Sequence, residues 1–400
     1  MRARSVTRRY GPALVVPLML VAVLAGLRPG AASASTCGSG TAQPLRPGSS
    51  NSFFGVAVSS CHAWAVGDYA TGTGRLLTLI ERWNGTAWKR QPSPNPGSSY
   101  NTLTGVAATS ATNAWAVGQA SNDAASHAFQ TLAEHWNGAT WTRVPSPSPG
   151  GPTGNNELAG VAATSASNAW AVGAYDSAPG AAFQTLAEHW NGTAWTHVPS
   201  PSPSADSELI SVAAISASDA WAVGSYPASA TGSLTLIEHW NGTKWTQVPS
   251  PSPGGPGRHN VLSGVAAVSA TDAWAVGQYF NRTLFQYQTL VEHWNGTAWA
   301  QVPSPNPAPA RFANRLLSVA ATSASNVWVV GDYISSGLGH PILSLVEHWN
   351  GTAWTQVPSP SPSGDNVLDG VAATSASDVW AVGFYSPSGP TLQALAFHYC

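Results

Sequence analysis

Any chemistry this chain performs would first be sought in a triplet written five times: Glu134-His135-Trp136, Glu188-His189-Trp190, Glu238-His239-Trp240, Glu292-His293-Trp294 and Glu347-His348-Trp349. Glu81-Arg82-Trp83 precedes the series and Phe397-His398-Tyr399 follows it. A carboxylate beside an imidazole suggests acid–base work. On a strand, however, successive side chains point to opposite faces, so Glu and Trp share one face and His takes the other. Adjacent Glu and His therefore form no acid–base pair. The expected role is hydrogen bonding between neighbouring repeats, with a repeated ligand site as the alternative. No His-x-His or Cys-x-x-Cys spacing offers a compact metal shell, so neither metal nor cofactor is expected. No catalytic residue is assigned, because no Ser/His/Asp arrangement, paired carboxylates or phosphate-cradling glycine loop stands out.

Other recurring polar residues read as architecture. Asn113, Asn168, Asp219, Asp272, Asn326 and Asp378 each stand two residues before a repeat tryptophan. A calcium site would select carboxylates, whereas an Asx-type turn accepts either residue, so a turn is expected. Sequons at Asn84, Asn191, Asn241, Asn295 and Asn350 are hairpin turns first, and glycosylation sites where the source glycosylates. Function is better sought where the repeat breaks its own pattern. Variable loops of the fifth and sixth units carry Arg258, His259, Tyr279, Phe280, Arg282, Arg311, Arg315 and Tyr333. The expected ligand-binding residues are Arg258, Tyr279, Arg282, Arg311, Arg315 and Tyr333, suited to an anionic or sugar-like ligand. The competing reading is a set of solvated loop side chains.

These residues hang on a repeat. Its marker tryptophans, Trp64, Trp115, Trp170, Trp221, Trp274, Trp328 and Trp380, are separated by 51, 55, 51, 53, 54 and 52 residues. A period near fifty held over seven copies belongs to propellers and arrays. In the copy from Leu209 to Pro253, "LISVAAIS" and "AWAVGSY" read as strands joined by a turn. "LTLIEHW" and "TKWTQVPS" follow, linked by Asn241-Gly242, the strongest short hairpin signal because both residues tolerate positive φ. The Pro-Ser-Pro-Ser-Pro stretch then ends the fourth strand. Four short strands repeated seven times predict an all-β, seven-bladed β-propeller of four-stranded antiparallel blades. Small residues of the first strand ("GVAATS") suit the crowded axis. Trp88, Trp141, Trp195, Trp245, Trp299 and Trp354 of the fourth strand suit the rim.

Arg2, Arg4, Arg8 and Arg9, the apolar run Ala13–Leu27 and the small residues Ala32-Ser33-Ala34 read as a cleavable signal peptide, exported by either the general or the twin-arginine route. The chain divides into that signal at 1–34 and one propeller domain at 35–400. Units are expected at roughly 52–100, 101–156, 157–207, 208–260, 261–314, 315–366 and 367–400 plus 37–46. Five of the 16 basic residues fall in or near the signal, leaving about 11 against 18 acidic residues and a net charge near −7. That balance argues against nucleic acid as a partner, and no membrane span is expected after cleavage. A secreted or cell-surface monomer is expected, binding an extracellular protein or glycan.

The seventh copy ends at "LQALAFHYC", and "GTAQPLRPGSSNSFFGVAV" near the N-terminus aligns loosely with the missing fourth strand. The segment from about Cys37 is therefore expected to complete the last blade and remove an open edge. A Cys37–Cys400 disulfide would suit this closure, with Cys37–Cys61 as the alternative.

The unit "AWAVG…HWNGTAWTQVPSP" resembles the blades of Asp-box (BNR-type) and kelch-like propellers over residues 50–400. It is also similar to the tryptophan-rich repeat of seven-bladed sugar-binding lectins. Asn-Gly stands in place of the Asp-box aspartate, and the kelch double glycine is absent. The resemblance implies the fold and a binding or interaction module. Propellers also host hydrolases and lyases at the mouth of the central channel, which leaves an enzyme as the alternative.

Overall fold

A computed structural model of the chain describes residues 50–399, apart from 60–61, 123–127, 179, 337–338, 363 and 388–390. The described residues form seven antiparallel sheets at 51–91, 100–144, 156–197, 208–247, 260–301, 314–356 and 366–399, with no helix. We number these blades 1 to 7. Blade 4 is typical: strands Glu208–Ser216, Asp219–Ser229, Gly232–Trp240 and Trp245–Gln247 pair in chain order. Blade 7 shows three strands, ending with Gln393–Tyr399. The signal peptide, the 37–46 segment and Cys37, Cys61 and Cys400 lie outside the described residues.

First strands line the axis, each contacting the next, and that of blade 7 contacts that of blade 1. Small residues permit this approach. A Cβ on Gly105 would stand 3.2 Å from the backbone of Gly160, and one on Gly370 would stand 3.1 Å from Val56 N. Serine takes the equivalent position in blades 4 and 6. There Ser211 and Ser318 accept hydrogen bonds from Val265 N at 3.3 Å and Val371 N at 3.2 Å. A bulge at this position bends each first strand. Opposite it lies the glycine of "AWAVG". A Cβ on Gly224 would fall 2.0 Å from Glu208 O, so the close approach of strand backbone dictates glycine.

Blades pack face to face through indoles. Trp221 is fully buried between Trp294 and Trp299 of the next blade, with ring centroids 4.9 and 5.2 Å away. The same triad recurs at five other seams, including Trp380 of blade 7 against Trp83 and Trp88 of blade 1. At the seam between blades 6 and 7, Tyr399 meets Trp328 at 5.6 Å. The fourth-strand tryptophans, expected at the rim for their bulk, thus also plug the seams. Such pairs add to the area term that dominates burial.

Two polar devices join blade to linker. Proline removes ladder donors, and hydroxyls replace them. Thr235 Oγ1 lies 2.6 Å from Ser250 Oγ and 2.9 Å from Ser252 Oγ, and bonds Pro251 O at 2.8 Å. The linker thereby follows the third strand after the fourth has ended. Then a buried asparagine opens most first strands. Asn260 accepts from Gly254 N at 2.8 Å and donates to Ser233 O at 2.8 Å. Asn101, Asn156 and Asn314 hold the corresponding loops. The recurring Asn-x-Leu or Asn-x-Phe was the signal for this latch, and the sequence reading did not use it.

Candidate functional site

The Glu-His-Trp triplet is divided between two structural duties. Histidine bonds within its own blade, contrary to the expected inter-blade role. His135 Nε2 lies 2.7 Å from Asn113 Oδ1, and His239 Nε2 lies 2.8 Å from Asp219 Oδ1. Four further pairs repeat the geometry. The imidazole also packs, tilted, against the tryptophan of its own second strand, at 4.2 to 4.5 Å in blades 2 to 6. The Asn or Asp before that tryptophan therefore serves as the histidine's partner as well as a turn residue. Only one blade departs: Arg82 of blade 1 reaches across its seam, 5.0 Å from the Trp64 ring and 5.5 Å from that of Trp136. The glutamates Glu134, Glu188, Glu238, Glu292 and Glu347 are completely buried. The triplet does not gather into one site.

The non-repeating loops do gather. Over blades 5 and 6 the Arg258 guanidinium lies 5.1 Å from the Phe280 ring. Phe280 meets Phe285 at 5.4 Å and Tyr287 at 5.3 Å, both edge-on. Arg282 Nη2 comes 2.9 Å from where a Cβ of Gly257 would stand, which brings it beside Arg258. Arg311 N donates to Gln286 Oε1 at 2.8 Å, tying the blade 5–6 linker to the blade 5 hairpin. Phe312 meets His340 at 4.7 Å, the rings tilted by 33°, and extends the surface onto blade 6. Burial raises the Tyr287 phenol, and the charges of Arg258 and Arg315 oppose that rise.

Of the six expected residues, Arg258, Arg282 and Arg311 lie at this surface, the last two exposed. Arg315 is committed to a buried ion pair, with Nη2 2.6 Å and Nε 3.0 Å from Asp332 Oδ2. Tyr279 and Tyr333 pack against the cores of their blades, and Tyr279 Oη donates to Gln288 Oε1 at 2.8 Å. They occupy the repeat position also held by Tyr175, Tyr226 and Tyr385, which aligning the "AWAVGxY" units would have shown.

Sequence reasoning missed the residues at the crest of the surface. Leu284 is 43% exposed and Phe285 65%, the two large exposed hydrophobic side chains among the described residues. Four described non-glycine residues have a left-handed backbone: Asp206, Phe285 at φ 54°, Arg311 at 74° and His340 at 50°. Three of the four lie in this sector. Conformations of this cost persist where surrounding structure enforces them, and they concentrate at binding surfaces.

A second non-repeating group joins blades 1 to 3. Burial raises Asp68 to about 6, opposed by a hydrogen bond with Thr102. Tyr100 is raised by burial and by the charges of Asp68 and Glu157, opposed by a hydrogen bond with Gln119. The two groups thus influence each other and residues of the neighbouring blades. Among the described residues no group of three or more His, Cys, Asp or Glu is placed to hold a metal ion, and no helix is long and apolar enough to cross a membrane.

No family model matches the chain, and no curated protein matches it. Solved structures do. A structure of YCF48 bound to a D1 peptide is 12% identical with a TM-score of 0.52, covering 90% of this chain and 97% of that one. A PL25 ulvan lyase bound to -[GlcA(1-4)Rha3S]- is 10% identical with the same TM-score, covering 89% and 93%. At such identity the likeness concerns fold alone, and the Asp-box or kelch character of the repeat has no matching family model behind it. The chain is a seven-bladed β-propeller.

Proposed function

We propose that this propeller is an exported binding module that holds an acidic extracellular ligand, protein or glycan, on the loops over blades 5 and 6. The observation that carries the reading is the Arg258 guanidinium over the Phe280–Phe285–Tyr287 aromatic group, with Arg282 beside Gly257 and Arg311 on the linker tied to the same hairpin. Guanidinium groups give bidentate, charge-assisted hydrogen bonds to carboxylates and sulfates. Aromatic faces cover the apolar side of a sugar ring or a peptide side chain. A basic island on a domain of net charge near −7 also distinguishes this face from the rest of the surface. Two propellers of similar fold hold a D1 peptide and -[GlcA(1-4)Rha3S]- respectively, so the scaffold accommodates both ligand classes. The basic N-terminal region, apolar run and Ala32-Ser33-Ala34 support export.

The test is an array of sulfated glycans, uronic-acid glycans and acidic peptides probed with the 35–400 protein. Binding is expected to fall at least about tenfold per arginine removed in Arg258→Ala with Arg282→Ala, the range for charged hydrogen bonds. Phe285→Ser is expected to weaken the same ligands without changing the melting temperature. Unchanged binding in both variants would refute the assignment.

A further inference from the structure

Six seams carry a buried carboxyl that the binding surface does not use. Glu134 alternates with Leu132 and Trp136 on its strand, and those two pack against Trp64, Val66 and Ile80 of blade 1. The glutamate therefore faces the preceding blade. Glu81, Glu188, Glu238, Glu292 and Glu347 hold the same repeat position. In blades 2 to 6 both carboxyl oxygens are buried and have no hydrogen bond of normal geometry among the described residues. Blade 7 supplies a natural comparison. There Phe397 fills the position and packs with Trp328, Val330 and Val346 of blade 6. An apolar residue thus satisfies the seam, as is common where buried charges are replaced, and the fold does not demand a carboxyl.

We propose that these glutamates make the ring a pH-sensitive assembly, tight when the seam carboxyls are neutral and loosened when they ionise. Little surrounds them to hold a negative charge. The second strand presents Ala65, Ala116, Ala171, Ala222, Ala275 and Val329 opposite the six glutamates. The fourth strand presents Arg90 opposite Glu81, Arg143 opposite Glu134 and His197 opposite Glu188. Opposite Glu238, Glu292 and Glu347 it presents the uncharged Gln247, Gln301 and Gln356. From the preceding blade come indoles and linker hydroxyls, Ser200 toward Glu238 and Ser304 toward Glu347. Burial accordingly raises Glu238 and Glu347 to about 8 and Glu81 to about 7, and raises Glu134, Glu188 and Glu292 well above their usual range.

The direction follows from proton counting. Below an ordinary pKa of 4.5 both folded and unfolded chains are protonated and the glutamates have no effect on stability. Between 4.5 and about 8 the unfolded chain gives up protons that the folded ring retains, so stability falls as pH rises. Each group lowers the folding constant about tenfold per pH unit in that window. Burial lowers the pKa of His135, His189, His197 and His348, which favours folding as pH rises, but only below the ordinary 6.5. From pH 7 to 8 the glutamates act without that opposition.

Denaturant unfolding of the 35–400 protein at pH 5.5, 7 and 8 tests the proposal, together with infrared detection of protonated carboxyls at pH 7. The expected result is a midpoint that falls at each step and a carboxyl band that shrinks in Glu292→Gln and Glu347→Gln. Both variants should lose part of the pH slope. Glu292→Phe, copying Phe397, should do the same and provides a folded variant if glutamine is not tolerated. A midpoint that is level or rises from pH 5.5 to 8, or the absence of a protonated carboxyl at pH 7, would overturn it.

Discussion

Trp221 shows how a residue counts here. Wholly buried between two indoles of the next blade, it belongs at once to its own strand and to a seam. Trp221→Ala is expected to cost about 3–5 kcal/mol in chemical denaturation, the range for truncating a large core aromatic. Gly224→Ala acts differently, by placing a Cβ 2.0 Å from Glu208 O. It is expected to lower the melting temperature by several degrees, whereas Gly255→Ala on an open loop would act only through its left-handed φ of 74°. At this scale the sequence was an uneven guide. The alternation of a strand separated Glu from His correctly. It did not reveal that His239 reaches Asp219 in its own blade, because the chain of twenty positions from one to the other is closed only by strand pairing. Arg258, Arg282 and Arg311 were legible as breaks in a repeat. Leu284 and Phe285 were not, since exposure at a hairpin tip depends on the loops beside it.

The elements explain why so low a charge supports an ordered protein. Pro-Ser-Pro-Ser-Pro read as a strand terminator, which it is, yet its serines also bind the linker to the third strand. Thr235→Val removes that hydroxyl and leaves Ser250 and Ser252 short of a partner. A loss of about 1–3 kcal/mol in unfolding free energy is expected. The Asn-Gly hairpins were fully legible, and Gly85, Gly138, Gly192, Gly242, Gly296 and Gly351 all adopt the left-handed backbone they predict. The asparagine that opens most first strands escaped notice because one buried amide leaves no periodic hydrophobic mark. Asn260 donates to strand, linker and loop carbonyls at once, a geometry only the folded ring assembles.

At the scale of the molecule, the seven-fold period told the fold class and left function to what does not repeat. The ring meets itself through Trp380 against Trp83 and Trp88, and through Asn51 N bonded to Leu392 O at 3.0 Å. The central claim remains that binding resides over blades 5 and 6 instead of being shared around the ring. Its most direct test is equilibrium binding to the array ligands of two variants that each remove three charges. One is Arg258→Ala/Arg282→Ala/Arg311→Ala; the other is Lys89→Ala/Arg143→Ala/Lys244→Ala at exposed positions on blades 1, 2 and 4. The prediction is a loss of at least about a thousandfold in the first, tenfold per arginine, and little change in the second. Equal losses in both, or none in the first, would contradict it.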